Sequence, residues 1–121
     1  MARERLRLVD PGSGRVLAEQ VEVADNVLAR GLGLMFRKTL PAGHALWIDP
    51  CNGIHMFWMN FAIDALFLDR AQRVVKVYRR LGRWRVVPLV LGARSVVELP
   101  AGALDGVELP KGHQLAITPA S

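Results

Sequence analysis

Polar and apolar residues alternate along the first part of the chain, with one interruption. Residues 4–9 and Arg15–Val23 both follow this period of two, which is typical of half-buried strands. The segment Asp10-Pro-Gly-Ser-Gly between them is rich in turn-forming residues. The pattern therefore predicts an N-terminal β-hairpin, whose inward-facing side chains are Leu6, Leu8, Val21 and Val23.

Two short segments carry helix-start features. Asp25 is a suitable N-cap for a helix that runs to about Leu32, although Gly31 and Gly33 limit its length. Pro100-Ala101-Gly102 opens a second segment, where a proline at the start favours one helical turn. We therefore expect two short helices.

Short apolar runs bounded by turn residues dominate the rest of the chain. Ile54–Met59 is rich in aromatic and β-favouring residues and is predicted to be a buried strand. Ile63–Leu68 is apolar on both faces, so we expect it in the interior of its sheet, followed by a tight turn and Arg73–Tyr78 as its hairpin partner. The other predicted strands are Ala45–Ile48, Ala93–Leu99 and Gln114–Thr118.

About eight short strands and two short helices, with no repeat or linker, indicate an α+β fold. We expect a single domain over residues 1–121, organised as a mainly antiparallel small β-barrel or sandwich. The 121 residues are 51% hydrophobic, which is sufficient for a real core.

The chain carries no sequence feature of export or membrane insertion. No window approaches the roughly 18 uncharged apolar residues of a membrane span. The N-terminus alternates charged and apolar residues and lacks the apolar stretch of a signal peptide. The single Cys51 cannot form an internal disulfide, in agreement with a reducing compartment. We therefore expect a cytoplasmic protein without membrane association.

The chain is basic, with a net charge of +5 and a pI of about 10.3. Such a charge favours binding to nucleic acid or to an acidic partner, but ordinary surface charge is the alternative that we favour. Tyr78 and Trp84 are the stacking candidates within the basic segment, and no RNA-binding motif accompanies them. The basic residues concerned are Arg70, Arg73, Lys76, Arg79, Arg80, Arg83 and Arg85.

Four stretches together resemble the domain-of-unknown-function family 192. Residues 30–41 are similar to the family's "RGLMfRk.Lp" opening, and residues 54–69 to its "fWMkn..ipLDiiFld" centre. Residues 73–77 resemble its "g.Vv.i" segment, and residues 95–102 its "yVLEl.aG" segment. The order and spacing agree from about residue 16 to residue 118.

The resemblance implies a compact, mostly β, α+β domain without an established activity. The chain departs from the commonest pattern in an inserted Gly-Leu at Gly33-Leu34-Met35. Cys51 and the pair Trp84-Arg85 are similar to one subset of members. The family supplies no catalytic residue, so chemistry has to be argued from the residues themselves.

Cys51 and His55 could form a nucleophile–base pair only if a turn brought them together, because four residues of strand separate Cα atoms by about 13 Å. A structural role for Cys51 as a small apolar side chain is the alternative that we favour. A zinc site from Cys51, His55, His44 or His113 lacks the paired ligand spacing that such sites show. No metal site and no cofactor is therefore predicted.

His55 and Asp64 form the better candidate pair for catalysis. They lie on neighbouring predicted strands, and a carboxylate beside an imidazole raises its pKa and fixes its tautomer. Such a pair could serve as the general base of a hydrolase or isomerase. The alternative is a buried hydrogen-bonded contact that only stabilises the core.

A binding module for a small polar or anionic ligand is the leading hypothesis. Its predicted pocket contains Trp58 with His55, Asn60 and Asp64, because rings beside hydrogen-bonding groups suit such ligands. Phe57 is expected in the core, with Met56 and Met59 as gap-filling core residues. Further candidate ligand-binding residues lie in loops, and Arg30 has internal pairing with Glu98 or Asp64 as its alternative. These loop candidates are Arg30, Trp84 and Arg85.

Overall fold

Nine strands carry the fold over residues 5–24, 26 and 31–120, the residues that the computed structural model describes. The strands are β1 Leu6–Asp10, β2 Arg15–Ala24, β3 His44–Ile48, β4 Ile54–His55, β5 Ile63–Leu68, β6 Val74–Leu81, β7 Val86–Val87, β8 Ser95–Pro100 and β9 Ala116–Pro119.

Seven of these strands form one sheet that curls into a half-barrel, in the order β6-β5-β8-β3-β2-β1-β9. Neighbouring strands are antiparallel except β2 and β3, which run parallel with Gln20 opposite His44. The short strands β4 and β7 pair separately. The N-terminal hairpin and the β5–β6 hairpin are confirmed, and β5 lies in the sheet interior with all six residues buried.

Both faces of this sheet are covered by apolar side chains. Along β5, Leu66 and Leu68 belong to one buried cluster, whereas Ile63, Ala65 and Phe67 belong to the other. This alternation follows from the two-residue period of a strand, and it explains why the segment is apolar throughout. The continuous apolar run therefore marks a strand that is buried on both faces.

The prediction of an α+β fold with two short helices is wrong, because the described chain is nearly all β. Only Gly31 and Leu32 are helical among the described residues, and most of the first predicted helix, including Asp25, lies outside them. The second segment forms successive turns over residues 101–106. Gly102 and Gly106 have φ angles of 91° and 73°, which an α-helix cannot contain. Within the described residues, no helix is long and apolar enough to cross a membrane.

The predicted strand Ile54–Met59 is wrong beyond its first two residues. It ends at His55, and the chain then turns through Met56–Met59, where the Met59 amide donates to the Met56 carbonyl at 3.4 Å. Trp58 has a φ angle of 59° in this turn. Phe57 is consequently half-buried and is not a core residue, whereas Met56 and Met59 are buried as predicted.

Candidate functional site

A cavity of about 160 Å³ lies beside the second buried cluster of the sheet. We call it the Glu98 cavity. One wall comes from residues 31–35, which follow β2, and another from the turn that contains Cys51 and Gly53 and leads into β4. The remaining lining residues are Ile48, Ile54, His55, Met59 and Glu98.

Glu98 reaches the cavity because of its position in β8. It lies between β3 and β5, opposite Leu46 and Ala65. Its strand neighbours Val97 and Leu99 face the first apolar cluster, so Glu98 must face the other side. A single carboxylate therefore interrupts the apolar face on which the cavity opens.

The electrostatic environment of Glu98 is unusual for a glutamate. Only 5% of the residue is exposed, and within the described residues its Oε1 atom has no hydrogen-bond partner. Burial raises the pKa of Glu98 to about 7, against the opposing field of the Arg37 guanidinium. Buried polar atoms are normally paired, so this carboxylate oxygen requires a partner that the described residues do not supply.

Gly33 lies directly beside this carboxylate. A Cβ atom at Gly33 would lie 3.5 Å from Glu98 Oε1, and the φ angle of 51° there disfavours any residue with a side chain. The positive φ angle, and not a lack of space beside the acid, therefore favours glycine at this position.

His55 and Cys51 both lie on the wall of the cavity, and each has a hydrogen bond to a backbone group. Cys51 Sγ donates to the Gly53 carbonyl at 3.0 Å. His55 is exposed, and its Nδ1 atom accepts a hydrogen bond from the Phe57 amide at 3.3 Å. The His55 ring lies 5.1 Å from the Phe57 ring and so joins the cavity to the neighbouring aromatic side chains.

Three aromatic side chains beside His55 form what we call the aromatic surface: Phe57, Trp58 and Trp84. The Trp58 and Trp84 rings are 5.9 Å apart at an angle of 63°, and each lies about 6 Å from Phe57. Trp58 is 54% exposed and Trp84 is 53% exposed. The two predicted tryptophans are thus brought together, from segments that are distant in the sequence.

Backbone strain accompanies this exposure. Trp58 and Trp84 have φ angles of 59° and 66°, as does the exposed Phe36 at 66°. The amide of Phe36 donates to the Trp58 carbonyl at 3.2 Å, so the two strained residues are linked. Bulky residues rarely adopt this conformation, which costs about 1–3 kcal/mol and clusters at functional sites.

Asp64 lies away from this site. It is 0% exposed, and its carboxylate accepts hydrogen bonds from the amides of Arg80, Gly102 and Leu104 at 2.8, 3.2 and 2.9 Å. Its position in β5 alternates with that of Ala65, so it faces the first cluster and not the cavity. The structure therefore does not bring His55 and Asp64 together, and Asp64 holds the turns after β8.

The other predicted site residues are more peripheral. Asn60 is exposed and its Nδ2 donates to the Arg37 carbonyl at 2.8 Å, which ties the turn after Met59 to the chain after the cavity wall. Arg85 is exposed beside Trp84, and its carbonyl accepts from the Met56 amide at 2.7 Å. Arg30 lies outside the described residues.

The basic segment is exposed, but several of its members bind within the chain. Arg79 donates to the carbonyls of Leu104 and Val107, and Arg83 donates to that of Met59. Arg80 is paired with Asp105. Binding of nucleic acid or an acidic protein by this segment stays a prediction, which a retardation assay at low and moderate salt tests.

The sequence prediction of the site missed Glu98 as a residue that lines a cavity. The available signal was one acidic residue in the apolar run Ser95–Leu99. The described residues contain no group of three or more His, Cys, Asp or Glu side chains that could hold a metal ion.

A family model matches residues 9–117: it is that of the domain-of-unknown-function family 192, described as an uncharacterized ACR. A UPF0127 protein of Pyrococcus horikoshii is 40% identical over 72 residues, which are 55% of this chain and 60% of that protein. A UPF0127 protein of Thermococcus gammatolerans is 35% identical over 85 residues, 65% of this chain and 54% of that protein. The matches thus span only part of these relatives.

Two solved structures are similar to the fold. One is a Sinorhizobium meliloti protein whose name suggests a transcription regulator, with a TM-score of 0.79 and 24% identity over 96% of this chain and 94% of that one. The other is a Novosphingobium aromaticivorans protein of unknown function, with a TM-score of 0.76 and 18% identity over 93% and 83% of the two chains. At these identities the likeness shows the fold alone.

Proposed function

The chain belongs to the domain-of-unknown-function family 192, and because that name assigns no activity, we propose from the site's geometry that it binds a small polar ligand in the Glu98 cavity. The observation that carries this proposal is the buried carboxylate of Glu98, which lines the cavity while its Oε1 atom has no partner among the described residues.

An unpaired buried carboxylate is costly to the fold. Leaving a buried polar atom without a hydrogen bond costs about 1–3 kcal/mol, and more when the group is charged. An apolar residue at position 98 would fit the surrounding cluster without that cost. A ligand that donates a hydrogen bond to Glu98 removes this cost, so binding accounts for an acid at this position.

The size of the cavity limits the group that enters it. A volume of about 160 Å³ is close to the roughly 150 Å³ apolar cavity that holds one benzene molecule, so about six non-hydrogen atoms fit. A larger ligand would have to extend past His55. There the exposed faces of Trp58 and Trp84 offer a surface for stacking.

The charge of the site selects a polar ligand over an anionic one. A carboxylate at the cavity repels anions when it is ionised. A wider depression of about 520 Å³ contains Arg70 and Arg94, but Arg94 is already paired with Asp49 at 2.9 Å. The Glu98 cavity therefore favours hydrogen-bond donors over anions.

Thermal unfolding in the presence of a library of small amines, alcohols, sugars and amides tests the proposal. A ligand at a hundred times its dissociation constant adds about 2.7 kcal/mol of stability. We expect hits with the wild type that are lost in Glu98→Gln and weakened in Trp84→Ala. Glu108→Gln is the matched control, because Glu108 is exposed and outside the site. Equal responses of the wild type and Glu98→Gln to every compound would overturn the proposal.

A further inference from the structure

We propose that the group which enters the Glu98 cavity is a cation of the ammonium class, so that the ligand is a small amine whose nitrogen pairs with the Glu98 carboxylate. This inference rests on the proposed binding function and specifies its ligand. It follows from the hydrogen-bonding capacity of the cavity wall, the counter-charges near Glu98 and the rings beside the cavity.

Glu98 supplies the acceptor that a ligand in the cavity must match with a donor, while the His55 ring, whose Nδ1 accepts, keeps Nε2 as a donor. An ionised carboxylate only accepts hydrogen bonds. The Cys51 thiol donates to the Gly53 carbonyl, and His55 uses its Nδ1 atom to accept from the Phe57 amide. Apart from these groups and Glu98, the lining side chains are apolar or absent. A ligand group with several N–H donors therefore complements the site.

Glu98 has no close counter-ion among the described residues. Arg37 is the cation whose field acts on it, but the Arg37 side chain is 41% exposed and its Nη2 atom is paired with Glu22 Oε2 at 3.0 Å. A buried acid without a paired cation is unfavourable in its ionised form. An ammonium group within hydrogen-bond distance supplies a donor and the missing charge at once.

The aromatic surface adds a second attraction for a cation. The faces of tryptophan and phenylalanine rings attract cations that lie within about 6 Å of the ring centre. Trp58 and Trp84 are about half exposed, and Phe57 connects them to His55 on the cavity wall. The rings therefore offer a cation a second site of attraction beside the cavity.

Cation binding is coupled to proton release. Burial places the pKa of Glu98 at about 7, so the free protein holds a proton on this carboxyl below that pH. An ammonium ligand selects the ionised form and displaces the proton to solvent. Its affinity should be about tenfold weaker at pH 6 than at pH 8, because only the ionised fraction binds. A neutral alcohol binds the protonated and ionised forms with little difference.

Butylammonium and butanol are the matched probes, since they have the same number of non-hydrogen atoms and differ in charge. Calorimetric titration of the wild type in two buffers of different ionisation enthalpy gives the number of protons released. We expect binding of butylammonium with release of about half a proton at pH 7, and the tenfold pH effect. Glu98→Gln should abolish the proton release and the pH effect, whereas Glu108→Gln should retain the two.

Two further variants separate other ionisable groups from Glu98. His55→Asn replaces the imidazole on the cavity wall, and we expect the pH effect on butylammonium binding to persist in this variant. Arg30, next to Gly31 of the cavity wall, lies outside the described residues. If butylammonium binds only after Arg30→Gln, an internal guanidinium already neutralises Glu98 and the inference is overturned.

The outcome also distinguishes this inference from the proposed function. Equal affinities for butanol and butylammonium, with no proton release, would overturn the amine assignment and leave small-ligand binding in place. The amine assignment is also overturned, and small-ligand binding is kept, if butylammonium does not bind while other compounds in the thermal screen stabilise the wild type and not Glu98→Gln. If no compound in the thermal screen depends on Glu98 for its effect, the amine assignment and the proposed binding function are both overturned.

Discussion

Asp64 and Glu98 lie on adjacent strands of one sheet and face opposite sides of it. Asp64 pairs with Leu99 across the β5–β8 ladder, and Glu98 pairs with the neighbouring Ala65. Both acids are buried, but Asp64 accepts three backbone hydrogen bonds whereas Glu98 Oε1 has no partner among the described residues. The two acids therefore differ in role although they lie in successive pairs of the same ladder: Asp64 stabilises the fold, and Glu98 is the candidate for binding.

Asp64→Asn should destabilise the fold by about 3 kcal/mol without changing ligand binding. The carboxylate satisfies the amides of Arg80, Gly102 and Leu104, and hydrogen bonds to a charged group contribute about 1.5–3 kcal/mol each. Asparagine can keep an oxygen at the position that accepts from Arg80 and Gly102, but it then places its NH2 donor against the Leu104 amide. Urea unfolding at pH 7 measures the change.

Asp105→Asn is the control for this substitution. Asp105 pairs with Arg80 in the same region, but about half of its side chain is exposed. Exposed ion pairs contribute at most about 1 kcal/mol, so the loss should be small. Comparable losses in the two variants would contradict the role assigned to Asp64.

Glu98 should make the protein less stable as the pH rises. Its pKa of about 7 in the folded state exceeds the ordinary value of 4.5, so the folded protein binds more protons than the unfolded chain between these values. Stability is therefore highest below pH 4.5 as far as this group is concerned, and it falls through about pH 7. The full effect is about 3 kcal/mol.

Glu98→Gln removes this titration, so its stability should exceed that of the wild type at pH 8 and its pH dependence between pH 5 and pH 8 should be flatter. Urea unfolding of both proteins at the two pH values measures the difference. Glu108→Gln, which changes an exposed acid, should keep the wild-type slope. A slope that Glu98→Gln leaves unchanged would contradict the raised pKa.

The strands could be predicted because their signals are local. Alternation, turn residues and a run that is apolar on both faces place β1, β2, β5 and β6 within a few residues of their observed bounds. The prediction of a helical turn after Pro100 was wrong because the conformation of this segment depends on groups that are distant in the sequence. Positive φ angles at Gly102 and Gly106, and capture of two amides by Asp64, are not visible in the segment itself.

The candidate site was only partly predictable for a related reason. Trp58, Trp84 and His55 were identified from their chemistry, and the structure places them close together. Pairing His55 with Asp64 assumed that their strands were neighbours, but β4 belongs to the two-stranded sheet. The role of Glu98 depends on which segments pack against its face of β8, and no local sequence pattern specifies those segments.

Gly53→Ala should destabilise the protein strongly and disturb the cavity wall. A Cβ atom at Gly53 would lie 2.5 Å from the Pro88 carbonyl oxygen and 2.8 Å from that of Val87, and backbone atoms cannot give way as a flexible side chain can. Overpacking of this kind costs about 1–3 kcal/mol. Gly82→Ala is the control, because the nearest atom to its new Cβ would be 4.0 Å away. Thermal unfolding of both variants should show a loss only for Gly53→Ala.

Backbone strain at Trp58 predicts that replacement by glycine leaves a more stable protein than replacement by alanine, which is the reverse of the usual order. Trp58→Ala and Trp58→Gly both remove the exposed ring, but only alanine keeps a Cβ atom at the φ angle of 59°. Trp58→Gly should therefore be more stable than Trp58→Ala by up to about 1 kcal/mol, although glycine is usually the less stable of the two. Trp47 in the regular strand β3 is the control, where alanine should be the more stable replacement. If Trp58→Ala is the more stable of the two variants, the backbone at Trp58 is not strained. The exposure of the rings is then the one remaining property that indicates a functional aromatic surface.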